Sequence, residues 1–251
     1  MTISVQVRDR VGLVELCDPP HNFLSAGQVK EIADALHELD ANVDVRAAVL
    51  AAQGRSFCAG ANFGGGDERL RNDPVDLYAE AARLFEVGIP VVAAVHGPAI
   101  GGGLGLAMSA TLRVTCPAAR FAANFVKLGI HQGFGLSVTL PELLGPSRAA
   151  LVLLTGRRFD GEEATRIGLA DLCVPDDRVR DAAFELAAEI ATGAPLAIRS
   201  INRTLRAGLA GRIREATVRE AAEQARLFST ADAVEGMRAV GERRDGNFTG
   251  R

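Results

Sequence analysis

Two glycine-rich stretches hold the residues best suited to chemistry. Gly101-Gly102-Gly103 follows the β-branched, apolar run 91–95 and opens a segment rich in Leu, Ala and Met. A strand, a glycine turn and a buried helix leave the first N–H groups of that helix unpaired, at the positive end of its dipole. Such a point holds a phosphate, or an oxyanion developing on a carbonyl. Ser56-Phe57-Cys58-Ala59-Gly60-Ala61-Asn62, about one βα unit earlier, offers a second donor.

The elements that must position these donors are legible from period and punctuation. Segments 3–7 and 11–16 read as strands joined around Arg8-Asp9-Arg10. Helical spacing over 24–39 places Ser25 as a cap. A buried strand over 47–51 ends at Gln53-Gly54, and 64–68 is a polar, glycine-rich surface loop. A helix over 75–86 leads to the strand at 91–95, the Gly101 turn, a helix to Ala110 and a strand over 112–115. Alternation of this kind points to βα units with parallel pairing. Beyond Gly135 the pattern is helical, over 135–144, 147–154, 161–167, 178–191, 196–207, 212–228 and 231–244. Gly193 and Pro195 mark a boundary between a core of residues 1–192 and a helical region of residues 193–251. The fold class is α/β, with an α-rich C-terminal part.

Composition removes several classes of function. The chain has 251 residues, of which 48% are hydrophobic and 24% charged, and a net charge of −3. Neither a basic surface nor stacking aromatics recommend a nucleic acid as partner, since there is no Trp and only Tyr78 as tyrosine. Segment 91–110 is long enough to span a bilayer, but its glycines, Pro98 and His96 favour a buried strand–turn–helix, so no membrane association is expected. The N-terminus alternates like a strand and lacks a leader pattern, and Cys17, Cys58, Cys116 and Cys173 form no Cys-x-x-Cys pair. Reduced thiols and a cytoplasmic location follow. His21, His37, His96 and His131 show no metal-ligand spacing, so no metal is expected. The dinucleotide fingerprint fails, because its sixth position is Leu106 or Met108. No NTPase phosphate loop or Gly-x-Ser-x-Gly elbow occurs.

The glycine stretches, taken with what surrounds them, resemble the crotonase superfamily of enoyl-CoA hydratases and isomerases. The matching pieces include Arg46-Ala47-Ala48-Val49-Leu50, Ser56 to Asn62, Pro90 to Gly97, Gly101-Gly102-Gly103, Ala119-Arg120-Phe121, Leu128-Gly129-Ile130 and Leu153-Leu154-Thr155-Gly156. Ala164, Gly168-Leu169-Ala170 and the tail Glu235-Gly236-Met237-Arg238-Ala239 continue it, so the resemblance runs nearly the whole chain in order. It implies a spiral of ββα repeats, a helical C-terminal trimerisation region and a homotrimer or homohexamer. It further implies an acyl-CoA thioester as ligand, with coenzyme A as part of the substrate and no other cofactor. An oxyanion hole carries over to the N–H groups of Ala61 and Gly102, flanked by Ala59, Gly60 and Gly101. Losing one such donor costs roughly 3–4 kcal/mol of transition-state stabilisation.

The carboxylates of the pattern do not carry over. The two glutamate positions of the hydratases fall on Gly105 and Phe125, and the acidic position of several isomerases and of the dehalogenase falls on Gly133. Water addition needs a base and an acid, each worth about 10²–10⁴-fold, so ordinary hydration is not expected. The loop Ile130-His131-Gln132-Gly133-Phe134-Gly135 remains. His131 is either a base or a half-buried structural histidine, and Gln132 either holds water or acyl chain or is a loop amide. Phe125 and Phe134 line an apolar acyl pocket or belong to the core. Asn62 supports the Ala61 turn and Asn124 faces the pocket or caps a strand. Asp67 and Glu68 read as solvated loop charges, Cys58 as packing and Glu142 as surface. Arg55, Lys127, Arg243 and Arg244 are candidates for the CoA phosphates. Two readings result: a CoA-thioester enzyme working by enolate or oxyanion stabilisation, as isomerase, hydrolase or decarboxylase, or an acyl-CoA-binding protein with little turnover.

Overall fold

A computed structural model describes residues 3–61 and 74–251. The chain begins with a hairpin of β1 (Ile3–Arg8) and β2 (Val11–Leu16), paired from Ile3 with Leu16 to Arg8 with Val11. Its two turn residues, Asp9 and Arg10, both take positive φ, as a tight two-residue hairpin requires. β2 then pairs in parallel with β3 (Ala47–Ala52), which pairs in parallel with β4 (Val91–Val95). Next come β6 (Leu112–Thr115) and β9 (Leu172–Cys173), also parallel, closing a six-stranded sheet in the order β1-β2-β3-β4-β6-β9. β3 and β4 are buried along their whole length, which is why Ala-Ala-Val-Leu-Ala-Ala and Val-Val-Ala-Ala-Val show no polar alternation.

A second sheet was not legible in the residues. β5 (Pro98–Ile100) pairs in parallel with β7 (Arg120–Ala122), and β7 pairs antiparallel with β8 (Phe159–Asp160). Strands of two or three residues are too short to show a period.

The helices fall close to their expected positions. α1 (Ala26–Ala41) starts on a reciprocal capping box, with Ser25 Oγ accepting from Gln28 N at 3.2 Å and Gln28 Oε1 accepting from Ser25 N at 2.8 Å. α2 (Pro74–Arg83) ends earlier than its apolar spacing suggests. Leu84, Phe85 and Glu86 instead donate to the carbonyls three residues back, and this tighter turn buries Leu84 and Phe85 before β4. α3 (Gly102–Ser109) is packed against β5 and buried from Gly103 onward, and it is apolar all round, as a helix without a solvent face must be.

A 3-10 turn (Asn124–Leu128) precedes α4 (Leu136–Leu144), α5 (Pro146–Thr155), α6 (Gly161–Ile167) and α7 (Val179–Ala191). α8 (Pro195–Leu205), α9 (Leu209–Phe228) and α10 (Ala231–Glu242) complete the chain. These last helices fold back on the core of their own chain: α9 lies along α2 and touches α4, and α10 packs on the 3-10 turn. Segment 91–110 is β4, β5 and α3, and no helix among the described residues is long and apolar enough to cross a membrane.

Candidate active site

The two glycine stretches meet. Cys58 N donates to the Pro98 carbonyl and Ile100 N to the Cys58 carbonyl, both at 3.0 Å, so residues 58–60 run beside β5 as a short parallel bridge. Ala59 N donates to the His21 carbonyl at 3.0 Å, and the Gly60 carbonyl accepts from Leu24 N at 2.9 Å. On the other side Gly101 N is consumed by the Ala122 carbonyl at 2.8 Å, so Gly102 carries the first N–H that α3 leaves over. Gly101 caps the helix at φ 57° and ψ −116°, a conformation closed to residues with a Cβ. A Cβ on Gly60 would lie 3.3 Å from Gly102 N, which shows how closely the turns abut. Among the described residues no backbone carbonyl accepts from Ala61 N or Gly102 N. Both residues are half-buried, whereas Gly101 and Gly103 are buried. Two unspent peptide donors on adjacent turns, one at a helix N-terminus, can receive a developing oxyanion.

Apolar walls stand next to these donors. Leu24 Cδ1 and Phe134 Cδ2 lie 3.6 and 3.8 Å from the Cβ position of Gly102. Phe125 Cζ and Asn124 Oδ1 lie 3.7 and 3.5 Å from that of Gly101. Of the residues singled out in the sequence, Ala59, Gly60, Ala61, Gly101, Gly102, Phe125 and Phe134 are therefore gathered at one place, with Asn124 at its edge. His131 and Gln132 are on the loop that carries Phe134, but among the described residues neither side chain makes a hydrogen bond to the gathered residues. The Gln132 amide donates to Ser137 Oγ at 3.0 Å, and His131 Nδ1 lies 2.8 Å from the Gln132 carbonyl. A carbonyl only accepts, so this contact assigns a proton to Nδ1, and in the neutral ring the lone pair is then on Nε2.

The positions without carboxylates turn out to be filled. A Cβ on Gly105 would come within 2.5 Å of Phe134 Cβ and 2.6 Å of its ring, and one on Gly133 would fall on the Tyr78 hydroxyl. Phe134 itself is buried and held at φ 62°, a strained value for an aromatic residue. Burial pushes the Cys58 thiol up to about 12, so it stays protonated and acts as packing. Glu142 pairs with Arg212 on the surface, and Arg244 is taken by Glu235 and Glu242. Asn62, Asp67 and Glu68 lie outside the described residues.

Three polar residues carry no signal in the sequence that would bring them to this loop. Glu220, on α9, accepts from Gly135 N at 2.8 Å and Ser137 N at 3.0 Å, closing the N-terminus of α4 with a buried carboxylate. Gln224 and Tyr78 stand beside it. Burial raises the Tyr78 phenol above its ordinary value, the Glu220 charge adds to this, and the bond to Gln224 opposes it. Glu and Gln four apart on a charged helix look like a solvated face, and only the packing of α9 onto the core shows otherwise.

A family model described as enoyl-CoA hydratase/isomerase matches residues 6–251. The fold agrees with solved structures over nearly the whole chain. One is an enoyl-CoA hydratase/isomerase from Pseudoalteromonas atlantica, 26% identical with a TM-score of 0.89, covering 99% of this chain and 100% of that one. Another is an enoyl-CoA hydratase from Mycobacterium avium subsp. paratuberculosis, 27% identical with a TM-score of 0.86 and 99% of each chain covered. A third, an enoyl-CoA hydratase from Bacillus anthracis, is 28% identical with a TM-score of 0.77 and both chains fully covered at 100%. The chain belongs to the enoyl-CoA hydratase/isomerase family, and with it to the crotonase superfamily.

Proposed function

We propose that the protein is an enzyme acting on an acyl-CoA thioester. Its thioester oxygen is bound by Ala61 N–H and Gly102 N–H as an enolate or tetrahedral oxyanion forms, and the N-terminal end of α3 stabilises that charge. The observation that carries this reading is the pair of unspent peptide donors on abutting turns, in a chain of this family. His131 moves the proton through Nε2, while Phe125 and Phe134 bound the acyl group, Gln132 orders the loop, and Ala59, Gly60 and Gly101 shape the turns. Ordinary hydration of a 2-enoyl thioester is not the reaction, because Gly105 and Phe125 supply no carboxylate and Phe134 occupies the space beside Gly105. Isomerisation, hydrolysis or decarboxylation fits the groups present. Apolar side chains exposed on α5 and α8, Leu154, Leu196 and Leu205, favour assembly as a homotrimer or homohexamer.

The filled carboxylate positions equally favour a second reading, an acyl-CoA-binding protein with little turnover. A panel of saturated, 2-enoyl, 3-enoyl and carboxyacyl CoA thioesters, followed for binding and for product by mass spectrometry, separates the two. Turnover of one class other than crotonyl hydration is the expected result, and crotonyl hydration at ordinary enzymatic rates overturns the reading. Gly102→Pro removes the N–H at a helix position where proline is tolerated. Its expected effect is a loss of about 10²–10³ in kcat. Binding without product across the panel, unaffected by His131→Ala, establishes the binding protein instead.

A further inference from the structure

Three buried polar side chains from α2 and α9 converge on the loop that carries His131, and the chemistry above uses none of them. The Tyr78 hydroxyl donates to Gln224 Oε1 at 2.8 Å, and Gln224 Nε2 donates to the His131 carbonyl at 2.8 Å. The phenol also backs onto Gly133, where a Cβ would strike its oxygen. Tyr78 and Gln224 are 7% and 3% exposed, so each polar atom they carry must find its partner inside the protein.

A glutamine amide has an accepting end and a donating end, and nothing in its own shape decides which faces where. Here the His131 carbonyl decides: it can only accept, so Nε2 must face it, and Oε1 is left turned toward α2 to take the Tyr78 proton. Without that hydroxyl Gln224 Oε1 loses its buried donor, and the His131 carbonyl alone is left to hold the amide. The next peptide, Gln132–Gly133, rests on Tyr78 and supplies the carbonyl that holds His131 Nδ1 at 2.8 Å. The same loop is pinned further on by Glu220 at Gly135 and Ser137.

We propose that Tyr78 and Gln224 are positioning residues for His131. Their hydrogen-bond chain sets the loop so that Nδ1 keeps its proton and Nε2 presents its lone pair to the site. This rests on the proposal that His131 moves the proton, and it can be tested independently of that step.

The test uses the full-length protein labelled with 15N-histidine, observed by imidazole nitrogen NMR at about pH 8, where a free imidazole is neutral. His131→Gln identifies the His131 signals. The wild-type protein is expected to show the Nδ1–H tautomer alone, whereas Tyr78→Phe and Gln224→Met each give a mixture. Thermal unfolding reports whether each variant is folded, and the two remove the same link from opposite ends. With a substrate found in the CoA-thioester panel, Tyr78→Phe lowers kcat about tenfold and changes KM less than twofold, as expected for a misplaced group. In a His131→Gln background it has no further effect. An unchanged His131 tautomer in both folded variants, or an equal loss of kcat with and without His131, overturns the inference. If His131→Gln leaves turnover intact, the proposed role of His131 fails, and the tautomer measurement still judges the positioning.

Discussion

Gly105 and Phe134 share one space: a Cβ on the first would lie 2.5 Å from the Cβ of the second, inside ordinary van der Waals separation. The absence of a carboxylate at 105 is thus coupled to an aromatic residue 29 positions later, at a φ of 62° that only a fully determined environment sustains. Gly105→Glu alone is expected to lose about 3 kcal/mol or more, from overpacking and from a carboxylate with no partner. Phe134→Ala alone leaves a cavity and loses about 3–5 kcal/mol. Together they should cost less than the sum, with a coupling of at least about 1 kcal/mol. Urea unfolding of the two single variants and the double variant measures this, and strict additivity would refute the shared-space account.

Helix ends carry much of the site's organisation. α3 presents its N-terminal N–H at Gly102 and turns its C-terminus onto two guanidinium groups. Arg206 donates to the Ser109 carbonyl at 3.0 Å and Arg113 to the Ala110 carbonyl at 3.1 Å. Cations at that end complement the negative pole of the helix, while the positive pole stays open toward the site. α4 is closed differently, by Glu220 reaching across from α9 to a buried N–H at Gly135 and a part-buried one at Ser137. Glu220→Ala strands both donors and should lower stability by about 3 kcal/mol, since each unsatisfied buried donor costs about 1–3 kcal/mol. Hydrogen exchange should locate the loss first at residues 131–139. Uniform destabilisation with no local change there would show that the carboxylate is not what holds this loop.

For the molecule as a whole, the C-terminal helices are part of the site's support. A Cβ on Gly236 of α10 would come within 2.5 Å of the Leu128 carbonyl carbon, and one on Gly129 within 2.6 Å of the Asp232 oxygen. α10 is thus locked to the turn that carries Phe125. The tail 243–251 is in turn held to α10 by Glu235, bonded to Arg244, Asn247 N and Arg238, and by Asp232, bonded to the N–H groups of Thr249 and Gly250. These bonds hold both carboxyls below the usual carboxylate range, Arg244 contributing most at Glu235 and the Thr249 N–H most at Asp232. Glu15 is lowered too: burial works against its ionisation, but Arg180 and Gln53 outweigh it. A depressed carboxyl stabilises above its unfolded value, near pH 4, and that contribution fades as pH falls through the lower folded value. Glu235→Gln should therefore flatten the decline in Tm below about pH 4 and speed amide exchange at Asn247. A variant with an unchanged acid limb and unchanged exchange would remove Glu235 from this role.

The sequence by itself determined the parts whose rule is local. A hairpin, the alternating βα units, the Ser25 cap and the glycine turn ahead of α3 each follow from period, capping chemistry or a φ that only glycine supports. That Gly60 and Gly102 lie together was implied by the family resemblance, which left Phe125 and Phe134 open between pocket and core. Tertiary structure alone decided the rest. β5, β7 and β8 are too short to carry a pattern, and they exist because neighbouring backbone groups needed partners. Tyr78, Glu220 and Gln224 read as ordinary helix residues until α9 folds onto α2 and α4. Burial then forces every polar atom to find a partner within the fold, and the partners available are the backbone groups of the His131 loop.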